Sequence, residues 1–147
     1  MVRNRATRTL ITVLAVLWAA PWTLFGLFIG GLALVTGGHV RRTGRVIEFW
    51  GGFASLFLQL FPLVAGASAV TFGHTVLARG KSQLDASREH ELVHVRQYER
   101  WGPVFVPAYL LFWLLLWLTG RNPYYDNPFE RQAFDETDGP PNAGGQI

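Results

Sequence analysis

The stretch REHELVHVRQYERWG, residues 88–102, decides how this chain folds and what chemistry it can carry. It places His90 and His94 one helical turn apart, with Glu91 directly after the first histidine. Because each helical residue turns about 100°, the two imidazoles lie about 40° apart on one face and can reach one metal ion. Glu91 lies about 60° from His94, where a carboxylate can take a proton from water held by the ion. The stretch therefore predicts a helix with two metal ligands and a general base, and two structural core histidines are the alternative.

The apolar residues are concentrated rather than evenly spread. They make up 50% of the 147 residues and cluster in three runs, 10–35, 49–72 and 104–118, with the charged residues between and outside them. This clustering favours a membrane protein over an ordinary soluble domain. The chain has no cysteine, which excludes disulfides and cysteine-bound zinc. It also has no basic stripe with interleaved aromatic residues, so the expected partner is the lipid bilayer and not nucleic acid.

The first apolar run predicts a membrane anchor. Residues 1–36 combine a short basic start with an uncharged run that, at about 1.5 Å per residue, can cross a hydrocarbon core of about 30 Å. Pro21 is expected to bend this helix. A cleaved signal peptide is the alternative, but the run is long for one and no A-x-A site follows it. Arginines flank both ends, so the positive-inside rule leaves the orientation open.

The second run is interrupted by glycines and by Pro62. A polar connector, 36–49, precedes it, and the loose alternation at the connector's end could start a strand. We expect a short helix around 53–61 and then a strand from about residue 69 to residue 78. A second transmembrane helix is the alternative for this run.

The motif helix has its own start and stop signals. Ser82 followed by Asp85 resembles an N-terminal cap, and Gly102 with Pro103 should end the helix. An apolar helix then resumes over 104–118. It is short for a full crossing, so a tilted span, a re-entrant segment and a helix packed on the anchor all stay open.

These segments predict a mainly α membrane protein with a small α+β core and one to three membrane-embedded helices. Asn127 and Pro128 predict the start of a last short helix. The expected domains are an anchor at 1–36, a metal-site domain at 37–136 that contains the apolar helix, and a disordered Gly/Pro-rich tail at 137–147.

A catalytic zinc site generally has three protein ligands and one open position, so a third ligand is needed. The candidates are His39, His74, Asp126, Glu130 and Asp135. Glu130 is preferred, because the apolar helix could form a hairpin that brings the last helix back to the motif helix. A carboxylate at this position also commonly serves the N-terminus of its own helix, and that role stays open.

HELVHVRQYERWGP, followed after an apolar stretch by NPFERQAF, resembles the zincin-type metallopeptidases. It is more closely similar to small bacterial membrane proteins with H-E-x-x-H-x-x-Q and a later N-P-x-E-x-x-A. This resemblance covers roughly residues 69–134. It implies that His90, His94 and Glu130 bind Zn²⁺ in the Glu-zincin manner and that Glu91 is the general base. It also implies a zincin-like core, with a short strand or hairpin before the motif helix whose edge can hold an extended substrate.

Several polar residues near the motif have open roles. Gln97 lies on the histidine face one turn beyond His94, where it could hold a ligand in place or fill the interface. His74, on the predicted strand, could point to the site, although a structural role is more usual. A tyrosine could donate to an oxyanion, and nothing in the sequence selects among Tyr98, Tyr109, Tyr124 and Tyr125.

The expected function is that of a membrane-anchored zinc metallopeptidase, placed in a bacterial inner membrane. It would hydrolyse a peptide or protein substrate with metal-activated water and a glutamate general base. The alternative is a non-catalytic membrane protein with a structural metal site or a relict zincin scaffold. A closed set of four ligands would favour the alternative, since catalysis needs an open position.

Overall fold

The computed structural model describes residues 4–61 and 67–137. These described residues are mostly helical, at 67%, and contain one small sheet. In chain order the elements are α1 Arg5–Val35, β1 His39–Thr43, β2 Val46–Trp50, α2 Gly52–Leu60, β3 Ala69–Phe72, β4 Thr75–Ala78, α3 Lys81–Trp101, α4 Phe105–Leu118 and α5 Pro128–Glu136. A single 3₁₀ turn, Gly102–Val104, joins α3 to α4.

The four strands form a mixed sheet in the order β1-β2-β4-β3. Two hairpins, β1–β2 and β3–β4, are antiparallel, and they meet through the parallel pairing of β2 with β4. The β3–β4 turn has two residues, and Gly73 occupies its first position with φ +61°, a conformation that glycine adopts at no steric cost. Strand β3 forms one edge of the sheet, and β4 is the strand directly before the motif helix in the chain.

Helices cover both faces of this sheet. On one face, Ile29 of α1 and Ala54 of α2 pack against Phe49, Phe72 and Leu77 of the strands. On the other face, the α3 side chains pack against alternate strand residues in a second cluster, made of Val46, Ala69, Val76, Ala78, Leu84 and Val95. Because successive side chains of each strand point to opposite faces, the sheet contributes to two hydrophobic cores. Helix α3 packs across the sheet and contacts β3.

Helix α1 approaches the sheet closely through small residues. Gly26, Gly30 and Ala33 are buried on its inner face. A Cβ atom at Gly26 would lie 2.7 Å from Cβ of Thr75, and one at Gly30 would overlap the ring of Phe49. The helix continues through Pro21 without ending there. The second half of α1 is therefore part of the globular core as well as an apolar helix.

Within residues 4–61 and 67–137, two helices are long and apolar enough to cross a membrane. One is α1, and the other is the continuous helical stretch Lys81–Leu118, with only 11% and 17% of their apolar windows buried. In the second helix the apolar part is α4, because α3 carries most of the charged residues. Large apolar side chains such as Leu14, Phe28, Leu111 and Trp117 are exposed. Exposed apolar surface of this extent is typical of contact with lipid or with a partner protein.

Several sequence-based expectations agree with these elements. The short helix expected around 53–61 is α2, the helix expected at 104–118 is α4, and Asn127 caps α5 with Pro128 as its first residue. Described residues of the second apolar run form β2, α2 and β3, so a continuous transmembrane helix there is wrong. Except for Thr137, the expected tail lies outside the described residues.

Three local expectations need correction. The strand expected from 69 to 78 is a hairpin, because Gly73 permits a tight turn. The polar connector contains β1, whose unpaired side makes polar residues tolerable in a strand. Ser82 does not cap α3: the helix begins at Lys81 after Gly80, and the Asp85 carboxylate accepts hydrogen bonds from charged side chains instead.

Candidate metal centre

His90, His94 and Glu130 come together at the crossing of α3 and α5. Nε2 of His90 lies 3.0 Å from Oε2 of Glu130, and Nε2 of His94 lies 3.3 Å from the same oxygen. The two Nε2 atoms are 3.2 Å apart. Three possible ligand atoms thus form a nearly equilateral triangle, and this group could hold a metal ion.

The triangle has the size that a tetrahedral ion requires. Nitrogen and oxygen ligands at about 2.0–2.1 Å from Zn²⁺ in tetrahedral geometry lie about 3.3–3.4 Å from one another. The observed separations of 3.0–3.3 Å need only a small outward adjustment. Two imidazoles and a carboxylate are also the donor set of several zinc hydrolase sites. The residues present therefore fit a divalent ion such as zinc.

Gln97 fixes the orientation of His94 through the ring nitrogen that does not face the triangle. Nδ1 of His94 donates to Oε1 of Gln97 at 2.8 Å. The amide nitrogen of Gln97 in turn donates to the carbonyl oxygen of Phe129 at 3.0 Å and to Oε1 of Gln132 at 3.0 Å. Since Nδ1 carries the hydrogen, neutral His94 presents the Nε2 lone pair towards His90 and Glu130. Gln97 also ties the motif helix to α5, which carries the carboxylate.

Glu130 faces the imidazoles and not its own helix terminus. The Asn127 side chain caps α5 by accepting from the amide of Phe129 at 3.1 Å, which leaves the glutamate free for other partners. Oε2 of Glu130 faces the two histidines, and Oε1 accepts a hydrogen bond of 2.8 Å from the Tyr109 hydroxyl. The carboxylate is thus held from both sides, by α3 and by the apolar helix α4.

The charge of Glu130 is stabilised by its neighbours. Burial by itself raises the pKa of this carboxyl group, since only 4% of the residue is exposed. The positive charge on His94 and the hydrogen bonds from His90 and His94 outweigh burial, and they lower the pKa from 4.5 to about 2. While His94 carries its positive charge, the Glu130 carboxylate is therefore ionised well below pH 4.5.

Glu91 lies beside the triangle on the side of strand β3. Its Oε2 accepts a hydrogen bond of 2.6 Å from the Thr71 hydroxyl. The carbonyl oxygen of Thr71 accepts one of 3.0 Å from the Tyr98 hydroxyl, which belongs to the next turns of α3. Glu91 is buried, at 5% exposure, yet it lines the same cleft as the two histidines. One carboxylate oxygen is thus fixed to the sheet edge, and the group remains next to the metal-binding face.

The triangle lies in a large cleft with a volume of about 1480 Å³. Strand β3 forms one wall, α3 crosses the middle, and α1, α4 and the segment before α5 supply the rest. The cleft contains Glu91 and the three members of the metal-binding group, so a molecule of peptide size can reach the site.

The other candidate ligands lie elsewhere. Nε2 of His74 lies 2.9 Å from Oε1 of Glu99, so this histidine hydrogen-bonds Glu99 instead of facing the triangle. His39 stacks on the Trp50 ring with centroids 5.4 Å apart. Asp126 accepts from the amide of Asn122 at 2.9 Å in the loop before α5. Asp135 is exposed.

The sequence did not single out two residues of the site, Thr71 and Tyr109. Thr71 is the polar member of the short strand AVTF and points to the α3 side of the sheet, so the alternation of the strand could have identified it. Tyr109 was one of four tyrosines, and no sequence pattern separates it from the others. Its selection needs the hairpin geometry that places α4 beside α5.

Comparisons with protein-family models, with curated proteins and with solved structures find no match to this chain.

Proposed function

We propose that this chain is a membrane-anchored zinc metallopeptidase, placed in a bacterial inner membrane and acting on peptide bonds at the bilayer. The observation that carries the proposal is the joint geometry of His90, His94 and Glu130, with Glu91 adjacent and all four residues in one cleft. Two apolar helices of membrane-spanning length support the anchoring. The resemblance of the motif segments to small bacterial membrane proteins supports the location.

Three ligands favour a catalytic site over a closed structural one. In the described part of the chain, the group that could hold an ion has three members, whereas structural zinc sites generally have four protein ligands. A bound zinc ion would polarise the carbonyl of the scissile bond and lower the pKa of water towards about 7. The protein's part is to keep one coordination position open towards the cleft.

Glu91 is proposed as the general base. Thr71 holds one carboxylate oxygen, which leaves the other to accept the proton of the attacking water. Glu91 can then transfer this proton to the leaving amine, so that a water molecule is added across the peptide bond. A carboxylate fixed at the sheet edge needs little reorganisation for these transfers, and such preorganisation favours catalysis.

Strand β3 is suited to hold an extended peptide. The amide of Arg79 donates to the carbonyl of Ser68, so these residues form a hydrogen-bonded pair next to the antiparallel ladder. Pairs alternate in such a ladder, so the backbone groups of Ala69 and Thr71 point away from β4. The Thr71 carbonyl already accepts a hydrogen bond from the Tyr98 hydroxyl. The amide and carbonyl of Ala69 and the amide of Thr71 therefore remain available for hydrogen bonds with a substrate backbone.

The second candidate function is a non-catalytic protein that keeps a metal for folding. The hydrogen bonds that join α3, α4 and α5 at the site favour it, because an ion there would also fix these helices. Glu91 separates the two functions, since it has no part in holding the ion.

The test compares zinc-loaded wild type with Glu91→Gln in detergent micelles, with casein as the protein substrate. We expect cleavage by wild type, its loss on chelation and its loss in Glu91→Gln at unchanged zinc content. Equal cleavage by both proteins would contradict the proposal, and so would no cleavage by a fully zinc-loaded wild type. Loss of zinc from Glu91→Gln would instead assign Glu91 to the structural function.

A further inference from the structure

The cleft changes character from one end to the other. Its middle contains His90, Glu91 and His94, and the first two turns of α3 extend it on one side with polar and charged residues. These polar lining residues are Ser82, Gln83, Asp85, Ser87, Arg88 and Glu89. Because α3 is one continuous helix, residues before His90 and residues after His94 must lie at opposite ends of the cleft.

The opposite end is apolar and aromatic. Trp22 and Phe25 of α1 line it, and Val106, Leu110 and Trp113 of α4 line the cleft on the side where Tyr109 contacts Glu130. Phe72, the last residue of β3, lies beside the α1 residues, with its ring centroid 4.9 Å from that of Phe25. The lining residues of α1 and α4 belong to the two helices that are apolar and long enough to cross a membrane. The apolar end of the cleft therefore opens between the segments of the chain that lipid would surround.

The length of the cleft suits a short extended segment. From Ser82 to Tyr98, both lining residues on α3, the helix rises about 24 Å at 1.5 Å per residue. An extended chain covers this distance in about seven residues at roughly 3.3 Å each. Strand β3 runs in the same sense, with Ala69 near the start of α3 and Phe72 at the apolar end.

We propose that the substrate is the boundary of a membrane-embedded polypeptide segment, bound as an extended strand with its apolar half towards α1 and α4 and its polar half towards the start of α3. This inference rests on the proposed peptidase function. Antiparallel pairing is the more stable form of strand addition. A segment antiparallel to β3 enters at the Phe72 end, so its apolar residues precede its polar residues.

A polypeptide fits this cleft better than a lipid does. A single-chain amphiphile has the same polar and apolar halves, but it has no series of amide groups. The amide and carbonyl of Ala69 and the amide of Thr71 would stay unpaired against an acyl chain, and unpaired buried backbone groups are costly. The lipid is therefore an outcome of the test and not the proposed occupant.

The test measures binding of three fluorescent peptides to zinc-loaded Glu91→Gln in detergent micelles. The peptides have one composition, half leucine and half serine, arranged apolar-first, polar-first or alternating. We expect the apolar-first peptide to bind at least about tenfold more tightly than the other two, since only it places every apolar side chain in the apolar end. Equal binding, tighter binding of the polar-first peptide, or displacement by lysophospholipid at concentrations similar to the peptide's would overturn the proposal.

Two variants locate the preference within the cleft. Trp113→Ala should reduce the preference for the apolar-first peptide, whereas Leu111→Ala should not, because Leu111 is on the same helix but outside the cleft. Zinc content confirms that both variants are folded. If one variant does not fold, the comparison of the three peptides on the Glu91→Gln protein still tests the proposal. If the apolar-first peptide binds selectively but wild type cleaves no substrate, the hydrolase function is contradicted, whereas the proposed class of ligand is still supported.

Discussion

Nδ1 of His94 donates a hydrogen bond of 2.8 Å to Oε1 of Gln97, three residues along the same helix. Gln97 in turn donates to α5, where Glu130 lies. The hydrogen bond selects the tautomer in which Nε2 of His94 is free for a metal. The same amide joins the two helices that supply the three ligands, so the fold of this region and the geometry of the site depend on one side chain.

Replacing Gln97 should therefore weaken metal binding without removing a ligand. In Gln97→Met the side chain keeps a similar length but cannot accept the hydrogen bond from His94. We expect zinc affinity to fall by about 10- to 100-fold, the usual cost of losing such a supporting partner. Competition with a chromophoric chelator measures the affinity. Gln59→Met, on the exposed face of α2, is the matched control. Unchanged affinity in Gln97→Met would mean that His94 is oriented by packing alone.

Tyr109 should support Glu130 from the opposite side. In Tyr109→Phe the hydrogen bond to Oε1 is lost, and the carboxylate can rotate between the two histidines. We expect zinc affinity to fall about tenfold, with little change in the thermal midpoint of the metal-free protein, because the ring still packs against Phe129. Tyr125→Phe serves as the control, since its ring packs on Phe134 and the hydroxyl is not needed for that contact. Equal affinities of the two variants would contradict a role for the Tyr109 hydroxyl.

Close packing of α1 on the sheet gives a prediction about stability. Gly30→Ala places a methyl group within the ring of Phe49 and should destabilise the fold by about 1–3 kcal/mol. At Gly31, on the same helix, an added Cβ meets nothing within 4 Å. Gly31→Ala should be neutral or stabilising by up to about 1 kcal/mol, because alanine is the better helix former. Thermal unfolding in detergent compares the two, and a similar loss in both would show that α1 does not dock as described.

The depressed pKa of Glu130 sets a pH window for its contribution to stability. The folded pKa of about 2 is lower than the ordinary value of 4.5, so the ionised group stabilises the metal-free fold above pH 4.5. That contribution is lost as the pH falls from 4.5 towards 2. Thermal midpoints of metal-free wild type and Glu130→Gln should therefore differ at pH 6 and converge near pH 2. A difference that is independent of pH would show that the carboxylate is not held by its charge.

The sequence predicted which three possible ligands come together better than it predicted the fold around them. His90 and His94 are brought together by helical periodicity, which needs no tertiary information, and the Asn127–Pro128 signal correctly placed the start of the helix that carries Glu130. The parallel pairing of β2 with β4 could not be predicted, because it joins two hairpins that are distant in sequence. Strand β1 was missed because HVRRT is polar, and only its pairing with β2 makes it a strand.

The hydrogen-bond partners of the site residues could not be predicted, because they depend on tertiary packing. Gln97 had two equally plausible roles, and the geometry around His94 shows the hydrogen bond to the imidazole. His74 is buried against Glu99 because the β3–β4 turn directs it to the far end of the sheet, away from the cleft. The contact between Thr71 and Glu91 joins a strand to a helix, and such a pair is visible only once the register of β3 is known.

The central claim is that one metal ion is held jointly by two imidazoles of α3 and a carboxylate of α5. Metal analysis of the purified protein tests it most directly, with His94→Ala, Glu130→Ala and the control His39→Ala prepared in parallel. Wild type and His39→Ala should each contain about one zinc ion per chain, and the other two variants should lose it. Full zinc retention in Glu130→Ala, or no bound metal in any of the proteins, would contradict the account.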